Sequence, residues 1–439
     1  MDLSAKRSVS LQAYTGEAFA PLVGAFVENA AAAFSMGKKE AFDLVTAANG
    51  VFTHICRFVL KNSEKIEIRC TGGGYHVDVE FIFPAADIDL RGFNLTAGTL
   101  SADDSGPEEV GLMLASRLVD RCAVSQVEGR GLKLTLLKEK AYPLFEETSL
   151  ALPAPLDEFS IRPPGPEELK LFARLVKTCY RDQILPEFFD YPGKVVDMAA
   201  GAHYEAAVAV GPAGEIGGGL FWHYAGKRVV ECYGPYLFNQ KAGTAMANAL
   251  IDSCISTIAR TEVVVLINRF ATPELPREYF EFLGGARFRL NGTELWRQSW
   301  FRLLHEDLGS VAWVHPELED FLSKEYDRLV LPREIRHVTP AGERHARHSV
   351  LSTHFEHSEA TATLRPMMFG TDFEQNLAQH LQLLRQEGIL NIFFYLDVGK
   401  SGQAAFTPGL LQHDFQPCVV FPCSGVGDVV LFQFQGASA

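Results

Sequence analysis

The sequence predicts a mixed α/β (α+β) chain of three successive modules: an α/β sandwich over 1–145 and two further α/β domains over 155–305 and 306–439. Three observations carry this. Helical apolar periodicity alternates along the chain with runs of period two. A length of 439 residues suggests two to four domains, at roughly 100–200 residues each. Apolar residues make up 47% and charged residues 21%, the balance of a folded chain with material for a core.

Charge narrows the function classes. A formal net charge of −14 disfavours nucleic acid and anionic membrane surfaces as partners. No apolar run reaches the roughly 18 residues of a membrane span, and Met1 to Arg7 lacks the secretory pattern. The eight cysteines are Cys56, Cys70, Cys122, Cys179, Cys232, Cys254, Cys418 and Cys423. Most lie in apolar runs, as reduced core thiols do. Cys418 and Cys423 are close in sequence but have no His pair at zinc-finger spacing, so no metal site is expected. A reducing cytoplasm is the expected compartment.

In the first module, 17–35 and 39–61 read as helices. Val45, Ala48, Phe52, Ile55 and Val59 form one apolar face of the second. Ile66 to Cys70 and His76 to Phe83 alternate as strands around the turn Gly72-Gly73-Gly74. Val110 to Val119 reads as a helix and Gly131 to Lys138 as a last strand.

In the middle module, Glu205 to Leu220 reads as two strands joined at Pro212-Ala213-Gly214. Arg228 to Phe238 is rich in β-branched and aromatic residues. Met246, Leu250, Ile251, Cys254, Ile255 and Ile258 then recur at helical spacing. Between them lies Asn239-Gln240-Lys241-Ala242-Gly243-Thr244-Ala245. A Gly-containing loop that opens a helix offers free N–H groups and the positive end of the helix dipole to an anion. Gly243 adds close approach, having no Cβ. Thr261 to Phe270 reads as a buried strand.

In the last module, 315–331 is an amphipathic helix. Ser349 to Met367 reads as alternating strand, Asp372 to Glu387 as a helix stopped by Gly388, and Ile389 to Val398 as an apolar strand. A short helix at Pro408 to Gln412 precedes strands Cys418 to Pro422 and Val429 to Phe434. His337, His345, His348, His354 and His357 are dense here. His354 and His357 are three apart on a strand-like run, which puts them on opposite faces, so a solvated face is expected rather than a metal site.

These segments carry two resemblances. Gln240-x-x-Gly243-x-Ala245, with Phe159 to Leu169 upstream and Tyr279-Phe280-Glu281-Phe282-Leu283-Gly284-Gly285 downstream as a closing helix and turn, resembles the GNAT N-acetyltransferases over roughly 157–300. The resemblance implies acetyl-CoA as cofactor, held by Asn239, Gln240, Lys241, Ala242, Gly243, Thr244 and Ala245, with Asn268 near it or capping the next turn. It implies Glu231 as general base and Tyr279 as general acid. It implies that Cys179-Tyr180 and Phe188 to Tyr191 border the acceptor site. The last module is similar to the same half-fold without a phosphate loop.

The order of elements over roughly 10–140, with Gly111 to Asp120, resembles the GHKL ATPase domain of anti-sigma-factor serine kinases. Aligned on His54, the positions of that family's Glu base and magnesium-binding Asn hold Thr46 and Gly50. Phe81 and Phe83 fall where its adenine-reading Asp belongs, with Asp87 and Asp89 the nearest carboxylates. ATP and magnesium are therefore not expected. The resemblance implies a degenerate scaffold that docks a protein partner, and a homodimer through this module. The function expected is an acetyl-CoA-dependent N-acetyltransferase with a kinase-like regulatory module. The alternative is a non-catalytic partner-switching protein.

Overall fold

In the computed structural model the chain forms two compact units. One comprises Met1–Ala141, Gly342–Phe355 and Ala362–Ile389, the other Tyr142–Ala341, Glu356–Thr361 and Leu390–Ala439. The structure describes residues 7–59, 64–84, 90–98, 107–127, 129–146, 150–201, 203–240, 245–290, 292–338, 346–356 and 359–436.

The first unit begins with β1 (Arg7–Tyr14), α1 (Ala20–Ala33) and α2 (Lys38–His54). β2 (Lys65–Gly72), β3 (His76–Phe83), α3 (Pro107–Leu118), β4 (Arg121–Val127) and β5 (Gly131–Glu139) follow. The strands form one antiparallel sheet in the order β1-β2-β3-β5-β4. Alternation aims Ile66, Ile68, Val77, Val79, Phe81, Leu134 and Leu136 at one face, where they share a core with Val27, Leu44, Ala48 and Phe52 of the helices,. The other face carries opposite charges on neighbouring strands, such as Lys133 and Glu80 at 3.0 Å. The two edge strands β1 and β4 are additions to the elements expected from sequence. β1 is largely exposed, so its apolar alternation is weak.

The second unit opens with β6 (Ser160–Arg162), α4 (Pro166–Cys179) and α5 (Pro192–Ala200), then β7 (Tyr204–Val210), β8 (Ile216–Tyr224) and β9 (Val229–Leu237). α6 (Ala245–Ile258), β10 (Val265–Phe270), β11 (Glu281–Leu290) and β12 (Thr293–Leu303) complete its first part, and β13 (Ser310–Val314), α7 (Pro316–Arg328) and β14 (Arg333–His337) follow. α4 starts where the Glu168 carboxylate accepts the Gly165 N–H at 2.7 Å, the one half of a capping box that a glycine N-cap allows. Arg162 first, then that N–H, hold the Glu168 carboxyl down at about 2.

The chain then returns to the first unit with β15 (Val350–Glu356), β16 (Thr361–Met368) and α8 (Phe373–Gln386). It ends in the second with β17 (Asn391–Asp397), α9 (Thr407–Gln412), β18 (Phe415–Phe421) and β19 (Val429–Phe434). The second unit's strands run β17-β19-β18-β11-β12-β10-β9-β8-β7-β6. Residues 306–439 thus do not make one separate module. Val350, Met367 and Met368 join the first unit's core. There Asn94 donates to the Ser349 carbonyl at 2.9 Å and accepts from the Leu351 N–H at 3.0 Å. β17 to β19 instead continue the second unit's sheet, β18 meeting β11 at Gly284↔Val419.

A second departure concerns Tyr279 to Gly285, expected as a closing helix. Only Arg277–Tyr279 turns, as a short 3-10 segment, and β11 starts at Glu281. Leu283, Ala286 and Phe288 are buried on a strand. Gly284, at φ 137°, sits at a register shift against β12. A Cβ there would lie 2.9 Å from the Cys418 carbonyl oxygen, so the position calls for glycine. α6 follows its predicted spacing: Met246, Leu250, Ile251, Cys254 and Ile258 pack on Ala207, Leu220, Trp222, Val230 and Cys232. All eight cysteines are unpaired. Among the described residues no helix is long and apolar enough to cross a membrane, and no group of three metal-ligating side chains occurs.

Candidate cofactor site where two strands part

β9 and β10 run parallel and stay paired from Val229↔Val265 to Tyr233↔Phe270. There β10 ends, while β9 continues through Gly234, Pro235, Tyr236 and Leu237, paired only with β8. The local sequence explains the parting. Pro235 has no N–H to give to a neighbouring strand, and Gly234 takes a φ of 101° that side chains disfavour,.

The freed edge of β9 is closed by side chains. The Asn268 amide donates to the Gly234 carbonyl at 2.6 Å, and its oxygen accepts from the Phe270 N–H at 3.0 Å. The Thr272 hydroxyl donates to the Pro235 carbonyl at 2.7 Å. The Tyr180 hydroxyl, at the end of α4, accepts from the Leu237 N–H at 2.8 Å and donates to the Leu237 carbonyl at 3.2 Å. Burial pushes the Tyr180 phenol well up, so it stays protonated and able to donate through the neutral range.

The expected cofactor residues divide. Asn239 and Gln240 are described, and both side chains are engaged. Asn239, at φ 53°, donates to the Pro153 carbonyl at 2.9 Å. Gln240 accepts from the Leu156 N–H at 2.9 Å and donates to the Phe238 carbonyl at 2.8 Å. They pin the 153–156 segment beside the end of β9. Ala245 is the first residue of α6 and is exposed. Lys241, Ala242, Gly243 and Thr244 lie outside the described residues. Asn268 is fully buried and both caps its own turn and holds β9.

Glu231 lies on the face of β9 opposite Val230 and Cys232, which pack on α6,. Its carboxylate meets Arg269 of β10 at 2.5 Å, both side chains being largely buried. Arg269 also lies over the Phe421 ring, 3.9 Å from its centroid. Burial opposes its charge, but Glu231, ahead of Tyr395, holds the guanidinium more firmly protonated than usual. His223 stands opposite Glu231 on β8. The His223 Nδ1 lies 3.2 Å from the Tyr233 hydroxyl, the two rings stacked.

Tyr279 is packed against the α6 core, with Arg302 over its ring at 5.2 Å. Contacts therefore do not bring the two expected catalytic groups together. Arg269, Thr272, His223 and the bonding role of Tyr180 went unread in the sequence. One signal was available for Arg269: a lone charge in a buried strand requires a counter-charge, and Glu231 is the acid of the preceding strand.

For an acyl-CoA, the test of fit is the β9 edge. An extended chain of amides pairs with a strand edge that lacks a neighbour, and Gly234 to Leu237 is such an edge. Its main-chain groups are bonded by side chains and by no neighbouring strand. On those terms the described residues fit.

No protein-family model and no curated protein matches this sequence. Its structural neighbours are acetyltransferases. The GNAT-superfamily phosphinothricin acetyltransferase of Sinorhizobium meliloti, solved with AcCoA, aligns with 34% of this chain and 89% of its own, at 19% identity and a TM-score of 0.29. An aminoglycoside 6'-acetyltransferase type Ii aligns with 34% of this chain and 98% of its own, at 15% identity and a TM-score of 0.26. An aminoglycoside 6'-N-acetyltransferase complexed with coenzyme A does so at 34% and 98%, with 12% identity and a TM-score of 0.27. Likenesses of this size carry no argument about activity.

Proposed function

We propose that the second unit is a GNAT-type acyltransferase that moves an acetyl group from acetyl-CoA to an amine. One observation carries the reading: β9 outruns β10 just before a Gly-containing segment that opens α6. A strand edge for amides followed by a helix N-terminus for phosphates is the pair of features this cofactor needs. Acetyl-CoA would supply an activated thioester. The edge of β9 would hold the amide arm, and Gln240, Lys241, Gly243 and Ala245 would stand nearest the phosphates. Glu231 and Tyr279 remain the proposed base and acid. Glu231 would act from within its ion pair with Arg269, beside the His223–Tyr233 pair. The first unit is proposed as a regulatory or docking module.

A second reading, a non-catalytic partner-binding protein, draws support from one feature. The β9 edge is already satisfied by Asn268, Thr272 and Tyr180. Calorimetric titration of acetyl-CoA into the wild type and a Gly243→Glu variant separates the two. Glu places bulk and negative charge where a phosphate is expected. Binding lost in the variant, followed by thiol release with a panel of amines, supports the transferase. Absence of wild-type binding at millimolar ligand leaves the partner-binding reading.

A further inference from the structure

The side chains that close β9 differ in how easily a ligand can replace them. Asn268 belongs to β10 and Thr272 to the turn after it, both next to β9 through the pairing of the two strands, and Asn268 also caps its own turn. Tyr180 reaches in from the end of α4, where its own N–H closes the helix on the Val176 carbonyl. A hydroxyl can accept and donate at once, and Tyr180 uses both capacities on the last residue of β9. Two successive amides, one giving its C=O and the next its N–H from the same side of an extended arm, offer the same two bonds to a strand edge.

We propose that the Tyr180 hydroxyl is a displaceable stand-in for the amide arm of an acyl-CoA, holding the Leu237 N–H and C=O until the arm takes both. The inference rests on the transferase reading above. Leu237 ends β9, so it is the strand residue next to the segment that leads to α6. The displaced hydroxyl has somewhere to go. One Glu274 oxygen is buried with no hydrogen-bond partner among the described residues, and the Glu274 carboxylate already interacts with this hydroxyl, helping burial to hold its proton on. Turning toward Glu274 satisfies that oxygen as the arm satisfies Leu237. The ring can stay against Tyr236, whose centroid is 5.0 Å away, so the exchange moves a hydroxyl and leaves the core packed.

The test compares the wild-type full chain with Tyr180→Phe, which keeps the ring and removes the oxygen. Acetyl-CoA binding is measured by calorimetry, and exchange of the Leu237 amide by hydrogen–deuterium exchange with and without ligand. In the free variant Leu237 loses its partner and exchanges faster. Acetyl-CoA then binds roughly three- to tenfold tighter, the equilibrium worth of about one ordinary hydrogen bond that no longer has to be broken. Saturation with ligand brings the two Leu237 rates together. Equal or weaker binding by the variant overturns the inference while leaving the transferase reading intact. An unchanged Leu237 rate in the free variant also overturns it. Absence of binding to both proteins overturns the inference and the transferase reading together.

Discussion

Arg269 is a charge inside a sheet, and its surroundings are those that make such a charge tolerable. Glu231 meets it at 2.5 Å, and the Phe421 ring lies 3.9 Å from it. Removing one partner of a buried pair strands the other, at a cost of about 3–5 kcal/mol, whereas replacing both with apolar groups is often near neutral. Glu231→Ala should therefore destabilise the second unit strongly in urea unfolding. Glu231→Met combined with Arg269→Met should recover most of the loss. Recovery without activity would separate the carboxylate's structural duty from its proposed role as base. A double variant as unstable as Glu231→Ala would show that the single loss does not come from a stranded Arg269.

At the scale of elements, the parting of β9 and β10 depends on Asn268. Truncation to Ala leaves the Gly234 carbonyl and the Phe270 N–H unpaired in a buried place, worth about 1–3 kcal/mol. Calorimetric melting of Asn268→Ala should show that loss, and Asn268→Asp, which sets a buried carboxylate against the Gly234 carbonyl, should not restore it. Sequence made some elements plain and hid others, for physical reasons. α6 was legible because its apolar stripe is continuous and faces one sheet. The hairpin of β7 and β8 was legible from its Pro-Ala-Gly turn. Tyr279 to Phe282 misled because three aromatics within four residues fit a packed helix or a strand equally well. Asn239 and Gln240 have the composition of an anion loop, yet their side chains serve a segment 84–86 residues earlier in the chain. Local pattern does not encode such long-range partners.

The molecule as a whole shows what was least legible: which segments share a core. The first unit takes Val350, Met367 and Met368 into its core, and buries a network in which Asn376 donates to the Ser349 carbonyl at 3.0 Å. One turn along α8, His380 donates from Nδ1 to the Asn376 carbonyl at 2.9 Å and is fully buried. Burial lowers its pKa to about 4 from an ordinary 6.5. A lowered base contributes stability that is fully present above the ordinary value and is lost as pH falls through the folded one. The first unit should therefore weaken between about pH 6.5 and pH 4. A His380→Leu variant should show a shallower decline, by up to roughly 1.4 kcal/mol per pH unit. Parallel pH slopes for the two proteins would remove His380 as the cause.

The order in which segments alternate between the units has a consequence for synthesis and cleavage. The path changes unit after Ala141, Ala341, Phe355, Thr361 and Ile389. A growing chain that has reached Ala141 has the sheet of its first unit but not Ser349 or Asn376, the partners of Asn94. That unit is finished only after most of the second has left the ribosome, and no single nick can then separate the two. In a fragment ending near Ala141 the core amides of the sheet should accordingly exchange faster than in the full-length chain, as hydrogen–deuterium exchange would read.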